Sequence, residues 1–336
     1  MRAAVIHEHG GPDRLVLCEN YPDPVAGADE VIIRVLVAGL NYHDVFTRRG
    51  MPGIKVPLPM IMGIDIVGEI VALGVGATEF KIGDRVLVDP INRRSGGLIG
   101  EMRPGGLAEF CAVPVHQLIP LPLGVPSNVA VALPVAYGTG HRMMITRGNV
   151  AAGEKVLVLG ASGGVGSCCV QLAKLAGAEV IACASSDDKL RRLGELGADH
   201  LINYREHDFV MRIHSLFGKP GRRGAGAGGV DVVVNFTGGD TWVPALKCLR
   251  RGGRMLTCGA TAGFDPKTDI RYIWSFELNV MGSNGWNRED IEALLGLVQG
   301  GRLTPEIDQV LPLERVHEAF ERLEARRITG KILIVP

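Results

Sequence analysis

What the chain lacks narrows its function before any motif does. Only 5% of its residues are aromatic, and 36 Lys and Arg offset 36 Asp and Glu. Balanced charge gives no reason to expect a nucleic acid or an anionic membrane as partner. The seven cysteines are odd in number and include no C-x-x-C pair, against a disulfide framework or a paired zinc knuckle. No uninterrupted apolar run approaches a membrane span, and Met1 to His7 lack the apolar core of a signal peptide. The expectation is a soluble protein of a reducing, cytoplasmic compartment.

What is present points to a compact α/β chain. Its 336 residues are 46% hydrophobic and include 46 glycines, which suits two domains joined by many tight turns. The most informative stretch runs from Val156 to Gly166. Val156 to Leu159 is an unbroken apolar run, as in a strand buried on both faces of a parallel sheet. Gly160, Gly163, Gly164 and Gly166 follow, interleaved with Ser162 and Val165, and then an amphipathic stretch from Val170 to Ala176. Strand, glycine turn and helix form the context in which a backbone approaches a pyrophosphate and a helix N-terminus faces it. The spacing G-x-x-G-x-x-G departs from the usual fingerprint by one residue. The alternative is a tight turn that binds nothing.

Around this stretch the pattern divides in three. Residues 1–124 read as β-rich: Ala3 to Ile6 and Leu15 to Leu17 as a hairpin, then Glu30 to Ala38, Gly68 to Gly74 and Arg85 to Val88. Strands spaced by Gly and Pro turns predict a partly open barrel. Residues 125–284 alternate strand and helix, which predicts a doubly wound parallel sheet. Residues 285–336 return to the first domain, with helices over Arg288 to Leu297 and Leu313 to Leu323 and a closing strand from Gly330 to Val335. The run from Gly218 to Gly229 reads as a flexible, basic surface loop.

Several segments carry a family resemblance. They are Gly39-Leu-Asn-Tyr-His-Asp44, Gly63-Ile-Asp65, Gly83-Asp-Arg-Val86, Gly105 to Phe110, the Gly160–Gly166 turn, Gly197-Ala-Asp199, Gly252-Gly-Arg254 and Gly330-Lys331. In that order the chain resembles a medium-chain dehydrogenase/reductase, nearest the zinc-free quinone and enoyl reductase branches. The resemblance implies a Rossmann domain beside a GroES-like barrel. It also implies an edge-strand homodimer, or dimer of dimers, built through Val280 to Ser283.

The departures from the family bear on chemistry. Zinc-dependent members place cysteine where this chain has Asn41, histidine where it has Ile64, and a further cysteine near Val135 and Ala136. Asp89 to Gly106, where the family's structural zinc lobe would lie, contains no cysteine. Catalytic zinc needs about three N, S or O protein ligands, so no metal is expected. Without that Lewis acid, reduction of a carbon–carbon double bond conjugated to a carbonyl is the less demanding reaction. Asn41 or Tyr42 is the candidate donor to an enolate oxygen, and Tyr42 also a candidate acid. Asp44 either relays a proton with His43 or caps the turn that follows. Asp65 stands where the family has a cleft acid, with burial against an arginine as its alternative. The tyrosine acid that enoyl-thioester reductases carry near Met51-Pro52 is missing.

The expected cofactor is NADPH. The position of a ribose-binding carboxylate aligns with Ala184, while Ser185 or Ser186 caps the next helix and Asp187 and Asp188 fill its first turn. Ser186, Lys189 and Tyr204 match residues that hold the 2′-phosphate in NADPH-using relatives. Position in the family adds Thr139, Asn235, Thr237, Gly238, Cys258, Gly259, Ala260 and Asn284 to the cofactor set, and places Lys331 on the adenosine side. Two classes of function stay open: a small-molecule reductase, or an NADPH-binding crystallin-like or RNA-associated protein with weak turnover.

Overall fold

The computed structural model of the protein describes residues 1–50, 53–222 and 228–336. Met51, Pro52 and the Arg223–Ala227 part of the predicted basic loop lie outside the described residues. The chain separates into two compact units. One comprises Met1–Ala136 and Ile291–Pro336, the other Tyr137–Asp290.

The first unit is built on antiparallel sheets. β1 (Ala3–Ile6) and β2 (Leu15–Cys18) pair as a hairpin around a short helical turn. β3 (Glu30–Gly39) is the longest strand of this unit, and its Val31, Ile33, Val35 and Ala38 enter the apolar core. α1 (Tyr42–Arg49) follows, then β4 (Met60–Ile61), β5 (Asp65–Leu73), β6 (Arg85–Val88), β7 (Phe110–Pro114) and β8 (Leu118–Pro120). Among the described residues, β3 lies between β16 (Lys331–Val335) and β5 and also pairs with β7. α2 (Ser127–Val131) lies against β3 and β5, so residues 125–136 cluster with this unit.

The second unit is the doubly wound sheet. A short helix α3 (Thr139–His141) precedes β9 (Lys155–Val158), α4 (Gly164–Leu175), β10 (Glu179–Ala184), α5 (Asp187–Glu195) and β11 (His200–Asn203). α6 (Phe209–Phe217), β12 (Val230–Val234), α7 (Trp242–Cys248), β13 (Leu249–Thr257), α8 (Ile270–Ser275) and β14 (Asn279–Gly282) complete it. Among the described residues, six strands run parallel in the order β11-β10-β9-β12-β13-β14. Every connection therefore crosses a face of the sheet, and all C-terminal strand ends line one edge. Leu157, Ile181 and Val233 are fully buried, which accounts for the unbroken apolar runs. β14 ends the sheet with Val280 42% exposed.

The chain then passes through α9 (Arg288–Gln299), β15 (Ile307–Pro312), α10 (Val316–Glu324) and β16. Phe320 and Leu323 of α10 enter the first unit's core.

Candidate active site

In the first unit four sequence-predicted residues and His43 converge at the start of α1. Asn41 precedes the helix, and its backbone N–H donates to Asp44 Oδ2 at 2.8 Å. Asp44 Oδ1 accepts from the Gly63 N–H at 3.2 Å. Asp44 is therefore a helix cap tied to the segment before β5, and its first-turn charge also faces the favourable helix end. The carboxyl is fully buried. Burial raises its pKa to about 6, Asp65 adds to the rise, and the Asn41 N–H, His43 and Lys331 oppose it.

Asp65 is also fully buried, at the start of β5. Its Oδ2 accepts from the Asn41 side-chain amide at 2.8 Å and from Lys331 Nζ at 2.9 Å, and its Oδ1 from the Val135 N–H at 3.0 Å. Lys331 Nζ also donates to Asn41 Oδ1. Lys331, expected among the cofactor residues, is held here by Asp65 and Asn41. It opens a strand buried on both faces, and an ammonium there needs a carboxylate, which Asp65 supplies. Asp65 is paired, with a lysine rather than an arginine.

Two neighbours remain. The Tyr42 ring packs edge-on to Phe46, 5.2 Å between centroids, and its hydroxyl has no hydrogen-bond partner among the described residues. His43 Nε2 lies 2.5 Å from Glu101 Oε2. Burial works against charge on His43, but the Glu101 hydrogen bond and charge outweigh it, and the imidazole pKa is raised. Glu101, nearly buried, had no signal in the sequence; it is separated by 58 residues from its partner.

In the second unit the predicted cofactor residues lie along the C-terminal edge of the sheet. The glycine turn follows β9, Ser185 to Lys189 follow β10, and Tyr204 follows β11. Asn235 to Gly238 follow β12, Cys258 to Ala260 follow β13, and Asn284 follows β14. Gly160 has φ +67°, a conformation that favours glycine. A Cβ at Gly166 would come within 2.4 Å of the Gly160 carbonyl oxygen, so the helix closes on the strand only with glycine there. A Cβ at Gly163 would meet nothing nearer than 3.7 Å, which leaves the N-terminal turn of α4 open. Ser162, Gly164 and Val165 stand partly exposed on that turn, and Thr139 opens α3.

At the ends of β10 and β11, Ala184 pairs with Asn203, and Tyr204 N–H donates to the Ala184 carbonyl at 3.1 Å. Ser185, Ser186 and Lys189 are partly exposed and Tyr204 is 47% exposed. Asp187 Oδ1 accepts from Asn203 Nδ2 at 3.0 Å. The fully buried Asn235 folds the next loop: its Oδ1 accepts from the Thr237 and Gly238 N–H groups at 3.1 and 3.0 Å. Asn235 Nδ2 is buried with no partner among the described residues. Thr237 in turn accepts from the Ala262 N–H at 2.8 Å, tying this loop to the one after β13.

The comparisons agree with this architecture. A family model described as an alcohol dehydrogenase GroES-like domain matches residues 27–123, and one described as a zinc-binding dehydrogenase matches residues 164–300. The acryloyl-coenzyme A reductase of Sulfurisphaera tokodaii is 32% identical, with all of both chains covered. The quinone oxidoreductase of Homo sapiens is 28% identical over 100% of this chain and 98% of its own. A solved NAD-dependent alcohol dehydrogenase superposes with a TM-score of 0.91 at 34% identity, covering both chains completely. Two domains of this kind, with a phosphate-type glycine turn in the second, define a nucleotide-dependent oxidoreductase fold. The chain belongs to the medium-chain dehydrogenase/reductase superfamily.

Proposed function

We propose that the protein is a zinc-independent, NADPH-dependent reductase of activated carbon–carbon double bonds or quinones, with enones, quinones and enoyl thioesters as acceptor classes. The observation that carries this reading is the state of Asn41. It stands where zinc-dependent relatives have a ligand, yet its amide oxygen is held by Lys331 and its amide nitrogen donates to Asp65. Ile64, fully buried, and Ala136 offer no donor, and the described residues contain no group of three His, Cys, Asp or Glu side chains suited to a metal. The residues at these positions do not fit zinc.

The second unit's edge fits a dinucleotide. The open turn at Gly163 and the α4 N-terminus would take the pyrophosphate, and Ser186, Lys189 and Tyr204 the 2′-phosphate. Thr139, Gly160, Ser162, Gly164, Val165, Gly166, Ser185, Asn235, Thr237, Gly238, Cys258, Gly259, Ala260 and Asn284 complete the assigned cradle. When bound, NADPH supplies the hydride. Tyr42 is assigned the donor to the developing enolate oxygen, because its hydroxyl is uncommitted. Asn41, Asp44, Asp65 and Lys331 are positioning residues that fix the start of α1. A second copy pairing along β14 would form an isologous dimer. The free cysteines suit a reducing, cytoplasmic setting.

The test is NADPH oxidation with simple quinones, small enones and short enoyl-CoA thioesters, with elemental analysis alongside. Tyr42→Phe is expected to lower kcat by about a hundredfold, the low end of general-acid contributions, with little change in the KM for NADPH. Stoichiometric zinc whose removal abolishes activity would overturn the reading. So would a protein that binds NADPH and reduces none of these acceptors.

A further inference from the structure

We propose that Arg142 and Arg147 form an oxyanion-binding subsite in the second unit, taking a carboxylate or phosphate that is either part of the acceptor or a free anion. The acceptor alternative rests on the function proposed above. The free-anion alternative does not.

The site is an open cleft of about 490 Å³ lined by Arg142, Arg147, Thr257, Cys258, Ser283 and Asn284 among others. That volume lies within the range of small-molecule sites. It opens where β13 and β14 end, on the edge where such sheets bind ligands. Two guanidinium groups line it, and no carboxylate is among its described lining residues.

Neither charge is fully used by the protein. Arg142 Nη1 is 4.0 Å from Asp290 Oδ2, a long contact. That oxygen already accepts from the Asn287 N–H at 2.8 Å, and Asp290 Oδ1 is taken by His141 at 2.7 Å and Thr146 at 2.6 Å. Arg147 commits its Nε to the Gly282 carbonyl at 2.7 Å, which fixes the plane of the fork while engaging one of its donors. Ser283 Oγ is buried and has no partner among the described residues. A cleft lined by two guanidinium groups and no carboxylate is rich in donors and positive charge. Its complement is a planar or tetrahedral oxyanion, which guanidinium groups bind by paired hydrogen bonds. A neutral enone or quinone would leave this charge unanswered.

The experiment has two arms. Inorganic phosphate is titrated calorimetrically into the wild-type protein, Arg142→Gln, Arg147→Gln and Arg147→Lys, with and without NADP⁺. Each Gln variant is expected to bind about tenfold more weakly, the loss of one charge-assisted bond. Arg147→Lys keeps the charge without the fork, and its intermediate affinity would separate anion binding from loss of the Gly282 contact. The second arm compares kcat/KM for acryloyl-CoA with that for methyl vinyl ketone. A ratio about tenfold lower in Arg142→Gln assigns the site to the acceptor's own anion. An unchanged ratio with weakened phosphate binding assigns it to a free anion. Equal phosphate binding by the wild type and all three variants overturns the subsite. No turnover of either acceptor or of a simple quinone overturns the proposed function while leaving the phosphate arm decisive.

Discussion

The ammonium of Lys331 lies 2.9 Å from Asp65 Oδ2, and neither residue is more than 2% exposed. The pair joins the first residue of β16 to the first of β5, 266 positions apart. Removing one partner leaves an uncompensated charge in a buried site. Lys331→Met or Asp65→Asn is therefore expected to cost about 3–5 kcal/mol, while the double variant recovers much of that loss. Denaturant unfolding of all four proteins measures it. Additive losses in the double variant would mean the two charges are satisfied independently.

This pair also marks the limit of what the sequence discloses. The strands of the second unit are legible because their apolar runs, from Val156 to Leu159 and Val230 to Val234, are buried on both faces and need no partner to be recognised. The glycine turn is legible because Gly166 answers a local clash with Gly160. α6 carried a readable signal, Asp208 capping the Val210 and Met211 N–H groups ahead of an apolar stretch, and is absent from the expected elements. β7 and β8 are short strands between Pro-rich turns, below the length at which alternation is informative. Lys331 is different. A lysine opening an apolar strand looks like a surface residue until the fold brings Asp65 to it. Arg142, Arg147 and Glu101 likewise acquire meaning only through partners or walls contributed by distant segments.

Asp44 predicts a pH dependence of stability. Its folded pKa, about 6, lies above the ordinary 3.8. The folded state therefore binds its proton more tightly than the unfolded chain does. Stability relative to Asp44→Asn is greatest below about pH 4, falls as pH rises to about 6, and is flat beyond that. A shift of this size is worth ~3 kcal/mol. His43 acts in a later window, since its raised pKa adds stability that is lost only above its ordinary 6.5. Urea midpoints from pH 4 to 8 for wild type, Asp44→Asn and His43→Gln would separate the two. A wild-type curve that rises against Asp44→Asn between pH 4 and 6 would show the carboxyl to be ionised in the fold.

The buried cysteines should be poor nucleophiles. Burial pushes the Cys111 and Cys183 thiols up to about 12 and raises Cys168, Cys169 and Cys248 as well. At pH 8 a thiol with a pKa of about 12 is roughly one part in ten thousand thiolate. A reductase of the kind proposed above would gain from this, because the thiolate is the form that adds to enones and quinones. Mass spectrometry after brief maleimide treatment of the native protein is expected to find label mainly on the partly exposed Cys18, since burial pushes the Cys258 thiol, also partly exposed, up to about 12. Rapid modification of Cys168 or Cys169 would show that the fold opens around them.

Cofactor choice is the sharpest prediction. A carboxylate gripping the ribose hydroxyls would oppose a 2′-phosphate, and the candidate acids are Asp187 and Asp188. Asp187 already accepts from Asn203 Nδ2 at 3.0 Å, and Asp188 is exposed in the first turn of α5. Ser186 precedes that helix without using its side chain as a cap, so its hydroxyl stays available. The 2′-phosphate carries nearly two negative charges, and each charge-assisted hydrogen bond to it contributes about 1.5–3 kcal/mol. Two such bonds, partly screened by solvent, are expected to give about a hundredfold preference for NADPH over NADH. Lys189→Ala should raise the KM for NADPH and leave that for NADH nearly unchanged. Ala184 is 1% exposed, so a carboxylate placed there would be buried and would confuse instability with specificity. Ser185→Asp is the better reversal, because that position is partly exposed. It should penalise NADPH by repulsion and narrow the gap to NADH. Initial rates with both cofactors across wild type, Lys189→Ala and Ser185→Asp decide the matter. A wild type that prefers NADH, or a Lys189→Ala that weakens both cofactors equally, would place a carboxylate of the α5 first turn on the ribose instead.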